Sequence, residues 1–199
     1  IEVGDVHVSD MFNLYAYENQ IYVLQLTGYE IHRYLEMSYD LWVHTMQRPE
    51  DPLMRIIPSE SHIQPQQWRF ANLAFNFDSA CGIDYEVDVR QPYGHKVHIL
   101  GMTDGHPFHE DRIYKVAMNS YRGNGGGELL TLGAGIAQHK LKDRIVYMSS
   151  HDQRYLFTTE LEHLNTLSPK AHHNWCFVPE AWTRPAIERE RKLIFPHTK

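Results

Sequence analysis

Residues 114–130 read YKVAMNSYRGNGGGELL, a run of alternating residues that gives way to four glycines. Val116, Met118 and Ser120 alternate with Lys115, Ala117 and Asn119, the period of a strand, and the pattern stops at Tyr121. An aromatic ring is thereby delivered to the lip of a loop. Gly123, Gly125, Gly126 and Gly127 tolerate positive φ and carry no β-carbon, so backbone N–H groups can come close to a ligand. A glycine cluster alone reads first as a tight turn closing a hairpin. A phosphate-binding P-loop is excluded, because Glu128, Leu129 and Leu130 stand where Lys and Ser/Thr would have to open a helix.

Working back towards the N-terminus, residues 20–26 alternate as a second strand. A short alternating run at 3–8 precedes it, then a brief helix through Leu14 with Ser9 as the expected N-cap. Between helix and strand lies Tyr15-Ala16-Tyr17-Glu18-Asn19, a loop with two aromatics, which by itself reads as tyrosines half-buried at an element boundary. Thr27 and Glu30 have the spacing of a capping box. They launch a helix that carries Ile31, Tyr34, Leu35, Leu41 and Trp42 on one face, as core packing requires.

Prolines 49, 52, 58 and 65 make residues 47–67 a surface excursion. Three strand-like runs follow at 69–77, 83–89 and 96–100. His106-Pro107-Phe108-His109-Glu110 contains metal-ligand types, but the proline and the preceding Asp104-Gly105 make it a solvated turn. Beyond the glycines come a short helical stretch after 133–136 and a strand at 145–148. A capping box at Ser150 and Gln153 then opens a helix that buries Phe157, Leu161 and Leu164. The end, HHNWCFVPEAWTRPAIERERK at 172–192, reads as one strand, a turn and a charged tail.

With 199 residues, 42% of them hydrophobic and 22% charged, the chain has room for one substantial core and is read as a single domain. A formal charge of −6 and the absence of a basic stripe argue against a nucleic-acid polymer as partner. No apolar run is long enough to span a membrane. Cys81 and Cys176 have no metal-ligand spacing, and whether they pair is open. The first residue, Ile1, is not a methionine, which points to a piece of a longer protein.

The segment NSYRGNGGG resembles the C-terminal domain of the 5'-nucleotidase family, in which a strand ending Asn-x-aromatic is followed by Gly-Gly-Asp or Gly-Gly-Gly. AYENQIYVLQLTG is similar to a second signature of that family. Residues 85–88 and 92–97 resemble its Tyr-x-x-Asp and Pro-x-Gly-x-(Arg/Lys)-Val pair, and the likeness extends from Ile1 to about Leu164. The resemblance implies a mixed α/β fold, a mixed sheet flanked by helices. It also implies that Tyr17 and Tyr121 are the two jaws of a nucleobase clamp, with Asn19 on the base edge and Arg122, Gly125, Gly126 and Gly127 completing a substrate-binding set.

By the same resemblance the parent enzyme hydrolyses nucleotide phosphate esters with two divalent metal ions. Those ions are bound in an N-terminal metallophosphoesterase domain whose motifs this sequence lacks. The chain alone is therefore expected to bind no catalytic metal, to be inactive, and to partner that domain in a periplasmic or otherwise extracytoplasmic enzyme. Tyrosines at both clamp positions, and Gly127 where 5'-nucleotidases have an aspartate, resemble the 2',3'-cyclic-nucleotide 2'-phosphodiesterase/3'-nucleotidase branch. Glu128 follows one residue later. On this reading Gly127→Asp would set a carboxylate beside the ribose and shift preference towards 5'-nucleotides. A 5'-nucleotidase or UDP-sugar hydrolase domain is the enzymatic alternative. An interaction module presenting the aromatic side chains of residues 172–182 is the non-catalytic one.

Overall fold

The computed structural model describes residues 4–59, 68–164 and 166–196. In chain order these form α1 (Val8–Leu14), β1 (Gln20–Thr27), α2 (Gly28–Trp42), β2 (Ile56–Pro58), β3 (Trp68–Phe70), a 3₁₀ turn (Ala74–Asn76), β4 (Ile83–Asp88) and β5 (Val97–Met102). The second half comprises β6 (Ile113–Asn119), α3 (Ser120–Gly123), a π-turn (Leu129–Gly133), α4 (Leu141–Arg144), β7 (Ile145–Asp152), α5 (Gln153–His163), β8 (Trp175–Val178) and α6 (Glu180–Ile194). The mixed α/β class expected from the sequence is the one observed.

Two three-stranded sheets carry the fold. One has the order β6-β1-β7, antiparallel throughout; the other has the order β5-β4-β8, in which β4 and β8 run parallel. Helix α2 serves both. The Thr27 hydroxyl accepts from Glu30 N, and the Glu30 carboxylate accepts from Thr27 N at 2.8 Å, so the capping box closes as the sequence predicted. Its buried residues Tyr34, Leu35, Tyr39 and Trp42 join Leu24 and Leu26 of β1, Tyr85 and Val87 of β4, and Leu129 and Leu130 in one core cluster. Each such side chain contributes about 1.5–3 kcal/mol on burial.

Several local expectations are corrected. Residues 4–7 form no strand and Val8 begins α1, while position 3 of the expected alternating run lies outside the described residues. The N-cap of α1 is His7, not Ser9, because the Asp10 carboxylate accepts from His7 N at 2.7 Å. The run at 69–77 is a strand only as far as Phe70. The Asn72 side chain donates to Leu41 O, at the C-terminal end of α2, and the chain turns there.

The excursion at 47–67 is anchored rather than superficial: Leu53 is fully buried, and the buried Glu190 carboxylate accepts from Leu53 N and Met54 N at 2.8 and 2.7 Å. Positions 60–67, Pro65 among them, lie outside the described residues. The charged tail that supplies Glu190 is helix α6, with Thr183, Ala186 and Glu190 on its buried face. Ser150 lies within β7, which extends to Asp152 by pairing with Gln20. Asp152 then caps α5 by accepting from Tyr155 N; none of the three residues expected to be buried is so, Phe157 and Leu161 being half-buried and Leu164 exposed.

His32 on α2 ties three elements together. Its Nδ1 lies 2.9 Å from a Glu110 carboxylate oxygen and its Nε2 2.9 Å from Val97 O. Both partners only accept, so both ring nitrogens must carry protons. Glu36, whose carboxylate lies 3.7 Å from Nε2, raises the pKa most; burial works against it, and Glu110 and Val97 O add to the rise, which reaches about 9. For Glu36 itself burial acts to raise the pKa, but bonds from His32, Val97 N and Gly94 N outweigh it and the net shift is downward. A histidine pKa raised above its unfolded value of 6.5 stabilises fully below that pH and loses the contribution as pH climbs through about 9. Urea denaturation should therefore show stability falling by about 1–3 kcal/mol between pH 6 and pH 9.5. His32→Gln should flatten that dependence; an equally steep slope in the variant would exclude His32 as its source.

Candidate functional site

The pairing of β1 with β6 sets Ile21 opposite Asn119, so the loop before β1 and the turn after β6 emerge at the same end of one sheet. Tyr17 comes from the first and Tyr121 from the second, 53% and 38% exposed respectively. A polar network locks the two segments together. Asn19 Nδ2 and Asn119 Nδ2 both donate to Tyr15 Oη, at 2.9 and 3.2 Å, and Ser120 Oγ donates to Asn19 Oδ1 while accepting from Gln20 N. Asn19 is thus fixed in orientation, with one N–H and one lone pair left over. Arg154 of α5 grips the first loop from outside through Ala16 O and Glu18, with its guanidinium over the Phe12 ring.

The glycine loop folds back beneath Tyr121. Asn119 caps α3 by accepting from Arg122 N at 2.9 Å, and Gly126 N donates to Tyr121 O at 2.8 Å. A β-carbon at Gly126 would sit 2.5 Å from the Tyr121 ring, so a side chain there would lift the ring off the loop. Gly125 N donates to Arg122 O. Gly127, at φ 71°, faces inward: a β-carbon there would overlap Arg122 Nη1 and fall 2.7 Å from Asn76 Oδ1.

Arg122, expected to touch a ligand, is 2% exposed and turned into the protein. Its five N–H groups donate to Asp78 Oδ2, Asp78 Oδ1, Phe75 O, Gly126 O and Asn76 Oδ1. No donor remains for a substrate, so its part is to hold the loop. Tyr34 donates to the same Asp78 carboxylate, and burial together with that charge pushes its phenol far above the ordinary range. The Gly127→Asp exchange therefore does not place a carboxylate beside a ligand. It drives a side chain into a committed guanidinium at a left-handed position.

The sequence did not single out Phe75 and Asn76. Phe75 lies edge-on to both clamp rings, with centroids 6.1 Å from Tyr17 and 6.2 Å from Tyr121, and Tyr121 Oη donates to Asn76 Oδ1 at 3.2 Å. No local pattern marks them, because their place follows from the Arg122–Asp78 pair drawing the 74–78 turn against the loop. A mainly apolar cavity of about 570 Å³ borders the site at Asp78, Asn119 and Arg122. It is bounded by Tyr34, Cys81, Phe108, Val116 and Met118, and neither clamp tyrosine lines it. His106 bonds Asp104 within its turn. Cys81 and Cys176 are unpaired thiols.

Residues 1–133 match the family model of the 5'-nucleotidase C-terminal domain, two thirds of the sequence, and the chain belongs to that family. The curated relatives it matches are named as nucleotide phosphoesterases. It is 26% identical over 202 residues to the trifunctional nucleotide phosphoesterase protein YfkN of Bacillus subtilis, covering 94% of this chain and 12% of that protein. It is 25% identical over 198 residues to the 2',3'-cyclic-nucleotide 2'-phosphodiesterase/3'-nucleotidase of Haemophilus influenzae, covering 90% and 26%. The chain thus spans from 12% to 26% of the length of these curated relatives. A solved structure described as a 5'-nucleotidase, from Staphylococcus aureus, shares the fold with TM-score 0.61 at 22% identity, covering 84% of this chain and 29% of that one. A 5'-nucleotidase precursor from Thermus thermophilus does so with TM-score 0.54 at 17% identity, covering 88% and 28%.

The geometry makes Arg122 a test of loop integrity. Arg122→Met removes the counter-ion of Asp78 and one donor from each of three other acceptors, and should cost about 2–4 kcal/mol in urea denaturation, given that Asp78 keeps partial contact with water. A loss below about 1 kcal/mol would show that the loop does not depend on the pair.

Proposed function

We propose that this domain binds the nucleoside part of a phosphoesterase substrate, with Tyr17 and Tyr121 stacking on the nucleobase. The parent activity would be that of a 2',3'-cyclic-nucleotide 2'-phosphodiesterase and 3'-nucleotidase. The observation that carries the reading is that two half-exposed tyrosines from separate loops are brought to one sheet end, each joined to Phe75, beside a loop too small in its side chains to cover them. Half-exposed rings on a braced platform are what a planar heterocycle needs, since stacking is sequence-tolerant and contributes about 1–3 kcal/mol per base. The curated relatives named for nucleotide phosphoester hydrolysis support the same substrate class.

Among the described residues, no group of three or more His, Cys, Asp or Glu is placed to hold a metal ion. In this proposal two divalent ions, held by a separate metallophosphoesterase domain, would activate water and neutralise charge at phosphorus. This domain's residues would position the substrate: the tyrosines hold the base, and Asn19 offers its remaining N–H and lone pair to the base edge. An extracytoplasmic enzyme, as the family resemblance implies, is part of the same proposal. No helix among the described residues is long and apolar enough to cross a membrane.

Calorimetric titration of the chain with 2',3'-cyclic AMP and 2',3'-cyclic UMP tests the clamp. Tyr17→Ala and Tyr121→Ala should each weaken both ligands by about tenfold or more. Unchanged affinity in both variants would overturn the reading.

A further inference from the structure

Asn76 stands at the hydroxyl end of the Tyr121 ring, and its amide orientation is dictated by its neighbours. Arg122 Nη1, 3.3 Å away, can only donate, so the carboxamide oxygen must face it. The same oxygen receives the Tyr121 hydroxyl proton at 3.2 Å. The Nδ2 group is thereby turned away from Arg122, and among the described residues it has no acceptor. Gly127 N–H, on the residue against which the Asn76 oxygen rests, has no acceptor there either. Two donors without a protein acceptor thus lie in the segments that border the half-exposed Tyr121 ring. The nearby Arg122 and Asp78 charges offset one another within their own ion pair.

Such a corner selects for acceptors. A free ribose cis-diol presents hydroxyls that both donate and accept, whereas a sugar edge whose oxygens are esterified in a phosphate presents acceptors only and carries negative charge. Charge-assisted hydrogen bonds are roughly twice as strong as neutral ones. We propose that Asn76 donates its Nδ2–H to the phosphorylated 2',3' edge of a nucleotide stacked on Tyr121, making it a specificity-determining residue for cyclic over free-diol ligands. The inference rests on the nucleotide reading above and adds to it a residue and a direction of preference.

Asn76→Asp is the discriminating variant. The carboxylate has the same shape and keeps the oxygen that accepts from Tyr121 and Arg122, but replaces the donor with an anion. Calorimetry of wild type and N76D with 2',3'-cyclic AMP, 5'-AMP and adenosine should show the cyclic nucleotide weakened by about tenfold or more, with 5'-AMP and adenosine each changed by less than about threefold. Equal loss for both anions with adenosine spared would mean simple charge repulsion. Equal loss for all three would mean a structural role, and no change would mean no contact; each of these overturns the proposal. If N76D melts early, the wild type decides, since it should bind 2',3'-cyclic AMP at least about fivefold more tightly than adenosine, and equal affinity refutes the inference. Tyr121→Ala run in parallel separates the two levels. If wild type binds none of the ligands, or Tyr121→Ala changes nothing, the nucleotide reading itself fails. If Tyr121→Ala weakens all three while N76D does not discriminate, only the role of Asn76 falls.

Discussion

The guanidinium of Arg122 is the joint on which the site depends. One buried cation binds the glycine loop at Gly126 O, the 3₁₀ turn at Phe75 O and Asn76, and the Asp78 carboxylate that also takes the Tyr34 hydroxyl from α2. Withdrawing a charge from water costs several kcal/mol, which this arrangement offsets by giving every N–H a partner and the charge a counter-ion. The consequence is geometric more than energetic. A planar fork with five fixed donors admits one arrangement of the three segments around it, and Tyr121 and Phe75 take their positions from that arrangement.

The same device recurs away from the site. Glu36 of α2, buried, accepts from Gly94 N and Val97 N and so fixes the entry to β5, while Glu190 of α6 fixes the chain at Leu53 and Met54. Lys96 is fully buried, with Nζ donating to Thr45 Oγ1 and Gln91 O at 2.8 and 2.9 Å, and burial draws its pKa down. Each of these charges satisfies backbone or hydroxyl groups of a segment with little regular structure. Two small sheets with short strands leave many such groups to be satisfied, and an unpaired buried one costs about 1–3 kcal/mol. Helix α2 can bridge both sheets because its polar residues close these gaps at its margins.

The tyrosine site is rigid by the same logic. Asn19, Asn119, Ser120 and Tyr15 hold the two loops in a hydrogen-bonded network, and Arg154 closes it from α5. A ligand stacking on Tyr17 and Tyr121 would meet rings already positioned, so little ordering entropy would be lost on binding. The apolar cavity beside β6 has no comparable set of fixed polar groups directed into it, apart from the end it shares with Asp78, Asn119 and Arg122.

Short-range pattern carried part of the fold, although it misplaced the caps of α1 and α5 and the extent of β3. The period-two runs became β1 and β6, the Thr27–Glu30 box closed as a cap, and the likeness of NSYRGNGGG and AYENQIYVLQLTG led to the right family. Placing Tyr17 and Tyr121 at one sheet end followed from those two strands pairing. The direction of Arg122 could not be read in this way, because it depends on Asp78, 44 residues away, and that separation leaves no trace in spacing. Phe75, Asn76 and the inward face of Gly127 were hidden for the same reason. Helix α6 went unread because its buried stripe of Thr183, Ala186 and Glu190 is polar at two of three positions; what makes it a packing face is the pair of backbone N–H groups that Glu190 meets on the far side of the chain.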